Sequence, residues 1–263
     1  MASFSFGRER GHPIICFRNV RKAFGPKVVL DGVDMELRSG ETSVIIGPSG
    51  AGKSVCLKLL VGLLEPDQGE VWVDGVQVNS ANENDLYALR KRIGMLFQDG
   101  ALFDSMSVAD NIAFPLRRHT RLGEDAIRAK VCAVLDQVGL PGVEQQMPAE
   151  LSGGMRKRVS LARAIITEPQ IILFDEPNSG LDPVRSDEID ALIQRMKVEL
   201  GITFVIISHD IVGTFRVADH IAMLHGGTLI AQGSPSDLLR SPKAEVRRFL
   251  SRNLGLPSLP ERP

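Results

Sequence analysis

No apolar run in this chain approaches the ~20 residues that a membrane-spanning helix needs. The longest, Val55 to Leu64, is broken by Lys58, so work at a membrane would require another chain as anchor. The start, Met1 to Gly11, is polar and holds Arg8 and Arg10, without the apolar segment of a secretory signal. An excess of one charge is also missing. With 31 basic and 32 acidic residues the net charge is -1, which removes bulk electrostatics as a reason to bind nucleic acid or an anionic membrane. Cysteine is scarce: Cys16, Cys56 and Cys132 are odd in number, widely spaced and set among apolar residues. They are expected as reduced core residues, not as disulfides or metal ligands. These absences together predict a cytoplasmic location.

What is present is a globular composition, 43% hydrophobic and 24% charged over 263 residues, enough for one large domain or a core with an insertion. Residues 1–13 are expected as a mobile leader. Ile14 to Val20 and Val28 to Leu37 alternate in the manner of strands about Gly25-Pro26, and Glu70 to Val76 reads as a strand pair turning at Asp74-Gly75. These predict a small antiparallel sheet. Asn82 to Lys91 has helical character, and Ile93 to Phe97 reads as a short strand. From about residue 99 to 155 the strand signal disappears. There Ser107 and Asp110 form a helix-starting pattern, with Pro115 expected to end or kink that helix. Ile127, Val131, Val134, Leu135 and Val138 recur at helical spacing before Gly139. Apolar strands at 171–174 and 203–207 then alternate with helices, which argues for a parallel sheet. A hairpin about Gly226-Gly227, two short helices and a proline-rich tail over 254–263 close the chain.

Chemistry enters with Gly47-Pro48-Ser49-Gly50-Ala51-Gly52-Lys53-Ser54. This is a G-x-x-x-x-G-K-[ST] loop between the apolar strand Ser43 to Ile46 and an apolar helix. Its glycines bring backbone N–H groups close to an anion, and the helix N-terminus adds partial positive charge. The expected ligand is a nucleotide polyphosphate, with Lys53 on the β- and γ-phosphates and Ser54 on Mg²⁺. The strand Ile171 to Phe174 delivers Asp175 and Glu176 at its C-terminal edge, where ligands collect in open parallel sheets. Asp175 suits a Mg²⁺ ligand and Glu176 a general base toward water.

With Leu151-Ser152-Gly153-Gly154-Met155 the chain resembles the ATP-binding cassette (ABC) ATPases, whose signature is LSGG followed usually by Gln; Met155 departs from it. Ser152 is a good N-cap, and the glycines leave helix N–H groups open to an anion. The resemblance extends over almost the whole chain. Phe24 takes the position of the adenine-stacking aromatic and Gln98 that of the Q-loop glutamine, a sensor of Mg²⁺ and water. Asn178-Ser179-Gly180-Leu181-Asp182 resembles the D-loop, with Asn and Gly where Thr and Ala are more usual. His209 takes the position of the switch histidine, a donor to the γ-phosphate. The implied fold is a P-loop NTPase: a RecA-like α/β core with an N-terminal antiparallel β-subdomain and an inserted α-helical subdomain. The implied ligands are ATP and Mg²⁺. The implied assembly is a homodimer in which Ser152, Gly153 and Gly154 of one copy face the phosphate loop of the other.

Within that family, Met95 to Arg117 and Glu150 to Met155 are similar to the Mla and Mce group, which drives phospholipid transport in the cell envelope. That implies a pair of MlaE-type permeases, a substrate-binding Mce protein, sometimes a STAS-domain partner, and a peripheral place on the inner membrane. An importer of amino acids or another small solute, and a regulator signalling through a membrane partner, are the alternatives. Arg90-Lys91-Arg92 and Arg117-Arg118-His119 read as solvated helix faces in preference to a face toward a membrane or permease.

Overall fold

A computed structural model of the chain describes residues 10–98 and 100–255. The chain begins with β1 (Pro13–Phe24) and β2 (Lys27–Arg38), antiparallel about the expected turn. The fully buried β3 (Thr42–Ile46) leads through the glycine loop into α1 (Lys53–Leu60). β4 (Gln68–Val73) and β5 (Val76–Gln77) complete a sheet of order β2-β1-β4-β5. Next come α2 (Glu83–Arg90), capped by the Asn82 side chain, and β6 (Ile93–Leu96). Three helices follow, α3 (Val108–His119), α4 (Glu124–Gln137) and α5 (Gly153–Ile165), with no strand between them among the described residues. The remainder is β7 (Ile171–Asp175), α6 (Pro183–Leu200), β8 (Thr203–Ile207), α7 (Ile211–Val217), β9 (His220–His225), β10 (Thr228–Gly233), α8 (Pro235–Leu239) and α9 (Ala244–Leu254).

The second sheet has the order β10-β9-β3-β8-β7-β6. β6, β7, β8, β3 and β9 run parallel, and the hairpin partner β10 is antiparallel at the edge. Parallel strands send all their C-terminal ends to one side, so the loops after β3, β6, β7 and β8 share an edge. Strand periodicity explains how the same strands serve two cores. Ile45, Ile171, Leu173, Val205 and Ile207 face α1 and the antiparallel sheet. Val44, Ile46, Ile172, Phe174, Phe204 and Ile206 face the helices on the other side. The Phe174 and Phe204 rings meet edge to face with centroids 5.4 Å apart, and truncating either to alanine would cost on the order of 3–5 kcal/mol.

Two sequence expectations are corrected, the first in part. Of the two outcomes expected at Pro115, it does not end α3, which runs past it to His119. Its buried Val108, Ile112, Ala113 and Leu116 lie on both sides of the proline, so packing holds the helix against the loss of one N–H donor. Cys132 is exposed, unlike Cys16 and Cys56; α4 buries Val131, Val134 and Leu135, and the helical period turns residue 132 off that face. The helix α7, capped by Asp210, was not anticipated. Of the residues expected as a leader, those from 10 are described: the Gly11 N–H donates to the Ser39 carbonyl at 3.0 Å and Pro13 opens β1. Residues 1–9, and the tail beyond Gly255, lie outside the described residues.

Candidate functional site

The loop after β3 is built on close backbone approach. Gly47 has φ 149°, and a Cβ there would stand 2.2 Å from the Leu224 carbonyl oxygen; Gly52 has φ 98°, and its Cβ would stand 2.5 Å from Leu30 Cδ2. Only glycine fits either place. Gly52 is also the N-cap of α1 and supplies no side-chain acceptor, so the first-turn N–H groups face the loop rather than a cap. The loop, from Pro48 through Ser49, Gly50 and Ala51, curls around the Lys53 ammonium, which donates to the carbonyl oxygens of Gly47 at 2.8 Å and Pro48 at 3.2 Å. Lys53 is 8% exposed. Burial holds its ammonium below the ordinary lysine range, and the charges of Glu176 and Asp175 oppose that shift.

Asp175 and Glu176 follow from the register of β7 between β6 and β8. Ser54 Oγ donates to Asp175 Oδ1 at 3.4 Å, so the hydroxyl that ends the glycine loop and the carboxylate that ends β7 are together. Burial and the neighbouring Glu176 charge raise the Asp175 carboxyl above its usual value, while the Ser54 hydroxyl lowers it. Such a carboxylate suits a cation that would offset its negative surroundings. Among the described residues no group of three or more His, Cys, Asp or Glu is arranged to hold a metal ion by itself, and an oxygen pair of this kind fits Mg²⁺ that takes its other ligands from phosphate and water.

Glu176 has φ 51°, a left-handed conformation that costs a non-glycine residue about 1–3 kcal/mol and collects at functional sites. Its N–H donates to the Ile207 carbonyl at 3.0 Å. Its carboxylate lies 3.2 Å from His209 Nδ1, which arrives from β8. A cavity of about 430 Å³ opens beside the pair, lined by Glu176, Ser179, Ser208, His209 and Asp210 among others. Gln98, after β6, donates from Nε2 to Ser179 Oγ at 3.1 Å. Phe24 ends β1 and is 47% exposed, and Lys22 Nζ stands 5.6 Å from the ring centroid.

The signature residues are placed differently. Ser152 caps α5 and accepts from the Met155 N–H at 3.3 Å. A Cβ at Gly153 would find Leu181 no nearer than 3.6 Å, and one at Gly154 would find Arg185 no nearer than 3.8 Å. Among the described residues, therefore, no atom crowds a Cβ at either position. Asp182 caps α6, accepting from the Arg185 N–H at 3.0 Å. Thus Lys53, Ser54, Asp175, Glu176 and His209 form one connected group through the contacts above, Gln98 reaches it through Ser179, and Ser152 to Gly154 make no such contact.

Sequence reasoning passed over several residues that hold this edge. Asn178 donates to Asp190 Oδ1 at 2.8 Å, and Asp190 Oδ2 is buried without a partner. Lys157 of α5 donates from Nζ to the Gln98 carbonyl. The only sequence signal for Lys157 is a basic residue on the apolar-flanked helix that follows the signature.

Comparison with known proteins gives a consistent result. Residues 30–179 match the ABC transporter family. The intermembrane phospholipid transport system ATP-binding protein MlaF of Haemophilus influenzae is 42% identical over 90% of this chain and 90% of its own length. The probable ribonucleotide transport ATP-binding protein mkl of Mycobacterium leprae is 45% identical over 89% of this chain, and the chain spans 67% of that protein's length; for the Mycobacterium tuberculosis protein the span is 64%. Among solved structures, a dimeric ATP-binding cassette in a post-hydrolysis state with ADP and Pi superposes with a TM-score of 0.76. It is 30% identical and covers 84% of this chain and 98% of its own.

Proposed function

Because the chain belongs to the ABC transporter family, we propose that it is the ATPase subunit of an envelope transporter whose cargo is phospholipid. The observation that carries the reading is geometric. Four parallel strands, β3, β6, β7 and β8, deliver Lys53, Gln98, Asp175 with Glu176, and His209 to one sheet edge, which is the constellation phosphoryl transfer to water requires.

In this reading Phe24 stacks on adenine, and the loop from Gly47 to Ser54 wraps the phosphates. Lys53 exchanges the Gly47 and Pro48 carbonyls for β- and γ-phosphate oxygens. Ser54, Asp175 and Gln98 would hold Mg²⁺, which when bound neutralises charge on the phosphate oxygens. Glu176 accepts a proton from the attacking water as its oxygen bonds to the γ-phosphorus, and the bond to the ADP oxygen breaks. With a proton on each ring nitrogen, His209 donates from Nδ1 to Glu176 Oε2 and from Nε2 to the γ-phosphate. Ser152, Gly153 and Gly154 complete the other nucleotide site of a homodimer. Their uncrowded Cβ positions support a role set by something outside the chain, and Asp182 lies at the same junction.

No helix among the described residues is long and apolar enough to cross a membrane. In this reading, which rests on the similarity to MlaF, the chain sits on the cytoplasmic side of the inner membrane through an MlaE-like permease pair, with an Mce protein and a STAS-domain subunit as further partners. A groove of about 1000 Å³ between the helical block and the core, lined by Phe97, Phe103, Phe114 and Leu122 and rimmed by Lys91 and Arg121, is the docking face. All four apolar residues are exposed. A ribonucleotide cargo is the second reading, favoured by the similarity to the mycobacterial protein.

The test is isolation of the membrane complex, identification of the permease and mass spectrometry of what copurifies. Glycerophospholipid and an Mce protein are expected. Ribonucleotide, or a soluble solute-binding protein in place of the Mce protein, would overturn the cargo assignment while leaving the ATPase intact.

A further inference from the structure

Lys157, Ser160 and Arg163 recur at three-residue intervals on α5 and hold a single loop. Ser160 donates Oγ to the Gly100 carbonyl at 2.7 Å, and Arg163 donates to the carbonyls of Gly100 at 3.0 Å and Ala101 at 2.8 Å. Lys157 donates to the Gln98 carbonyl. The spacing places all of them on one face of the helix, so the loop after β6 is clamped to α5 by side chains far from it in sequence.

Lys157 does one thing the others do not. Its ammonium also lies 3.4 Å from the carbonyl oxygen of Glu176, and the residue is 6% exposed. An ammonium so far from water is costly unless its donors are used, and one backbone carbonyl from each of the loops after β6 and β7 takes a donor. Glu176 is the strained residue of the site, held at φ 51°. The Ile207 carbonyl holds its N–H, and its carbonyl accepts from the Ser179 N–H at 3.1 Å within the turn and from Lys157 across the chain. Such a conformation persists only where the surroundings over-determine it.

We propose that Lys157 is a positioning residue for ATP hydrolysis, holding the Glu176 turn and the Gln98 backbone in register from α5. The proposal rests on the ATPase reading given above. It also gives α5 two ends with different duties: Ser152 at its N-cap faces the nucleotide of the other copy, and Lys157 sets the base of its own. Lys157 lies five positions beyond Ser152, about 7.5 Å of rise. A displacement at the N-cap therefore reaches Glu176 through one rigid element, and the two sites of a dimer are linked without a change in the strands.

The test uses the full-length chain in complex with its permease, with ATP turnover measured against ATP concentration. Lys157→Met should lower kcat by at least about tenfold while KM for ATP stays within about twofold, since a misplaced base costs turnover and not binding. Lys157→Arg, which keeps donors for both carbonyls, should recover most of kcat. In a Glu176→Gln background, Lys157→Met should lower the residual turnover no further, because it acts through Glu176. Wild-type kcat in Lys157→Met would overturn the proposal. So would a loss of turnover matched by parallel losses in ATP binding and thermal midpoint that Lys157→Arg does not reverse. A wild-type complex without ATP turnover would overturn the ATPase reading, and this proposal with it.

Discussion

His209 Nδ1 stands 3.2 Å from Glu176 Oε2, although the two residues follow different strands and come from positions far apart in the sequence. The contact ties the proposed base to the proposed γ-phosphate donor, so the pair should fail together. Glu176→Gln is expected to keep ATP binding, lower turnover by about 10²–10⁴-fold and accumulate an ATP-bound dimer in size-exclusion chromatography. His209→Ala should lower turnover by about 10²–10³-fold. The double variant should fall well short of the product of the two, since residues that act as a unit are not additive. Undiminished turnover in Glu176→Gln would sink the base assignment.

Lys53→Ala removes the cation around which the loop is wrapped. A charge-assisted hydrogen bond is worth roughly 1.5–3 kcal/mol, so ATP affinity should fall by about 10–150-fold in titration calorimetry. Binding at wild-type strength would count against the nucleotide site as a whole.

Gly154→Val separates the fold from the assembly. The Cβ position is uncrowded within the chain, with Arg185 Cδ at 3.8 Å, so the thermal midpoint of the isolated chain should stay within about 2 °C. Turnover should drop at least about tenfold, because the branched side chain would obstruct the facing copy. A midpoint that falls with activity would place the requirement for glycine inside the monomer.

Asp190→Asn tests a buried carboxylate. Burial raises the Asp190 carboxyl above its usual value; the Asn178 hydrogen bond opposes this, and the Asp210 charge adds to it. A raised folded-state value favours the protonated form, so the contribution to stability is complete below the unfolded value and lost as pH rises through the folded one. At pH 7 the native carboxylate is therefore a cost, and the amide should raise the thermal midpoint by roughly 2–4 °C. The gain should shrink as pH falls toward 4, which thermal melts across that range would follow.

Thiol labelling distinguishes the three cysteines. Burial pushes Cys16 up to about 11 and Cys56 up to about 12, whereas Cys132 is exposed. Since the thiolate is the reactive form, maleimide at pH 7.5 should modify Cys132 alone in the native chain and all three thiols after unfolding, read by intact mass.

Residues legible from sequence were those whose type and order carry their own chemistry. The glycine loop, the acidic pair after an apolar strand and Ser152 as a helix cap could be read locally, and the parallel sheet then required most of them to meet. What escaped was set by contacts across the chain. Lys157 looks like any basic residue on a helix until β6 and β7 bring two carbonyls to it. Pro115 looks like a stop until the buried positions on both sides are counted. Cys132 took its apolar appearance from Val131 and Val134, which face the other way. The helix α7 is short enough that no periodicity could announce it.

Lys53 is satisfied by its own loop, through the carbonyls of Gly47 and Pro48, and this makes recognition a competition. An incoming anion must outbid two backbone oxygens that are already well placed, so its gain is a difference between ligands and not the full strength of a charge-assisted contact. Chloride or a lone carboxylate, with one weak site to offer, gains little by that exchange. A polyphosphate that engages the lysine and the loop N–H groups at once gains much more. The loop thus screens its ligands by the number of contacts they can make together.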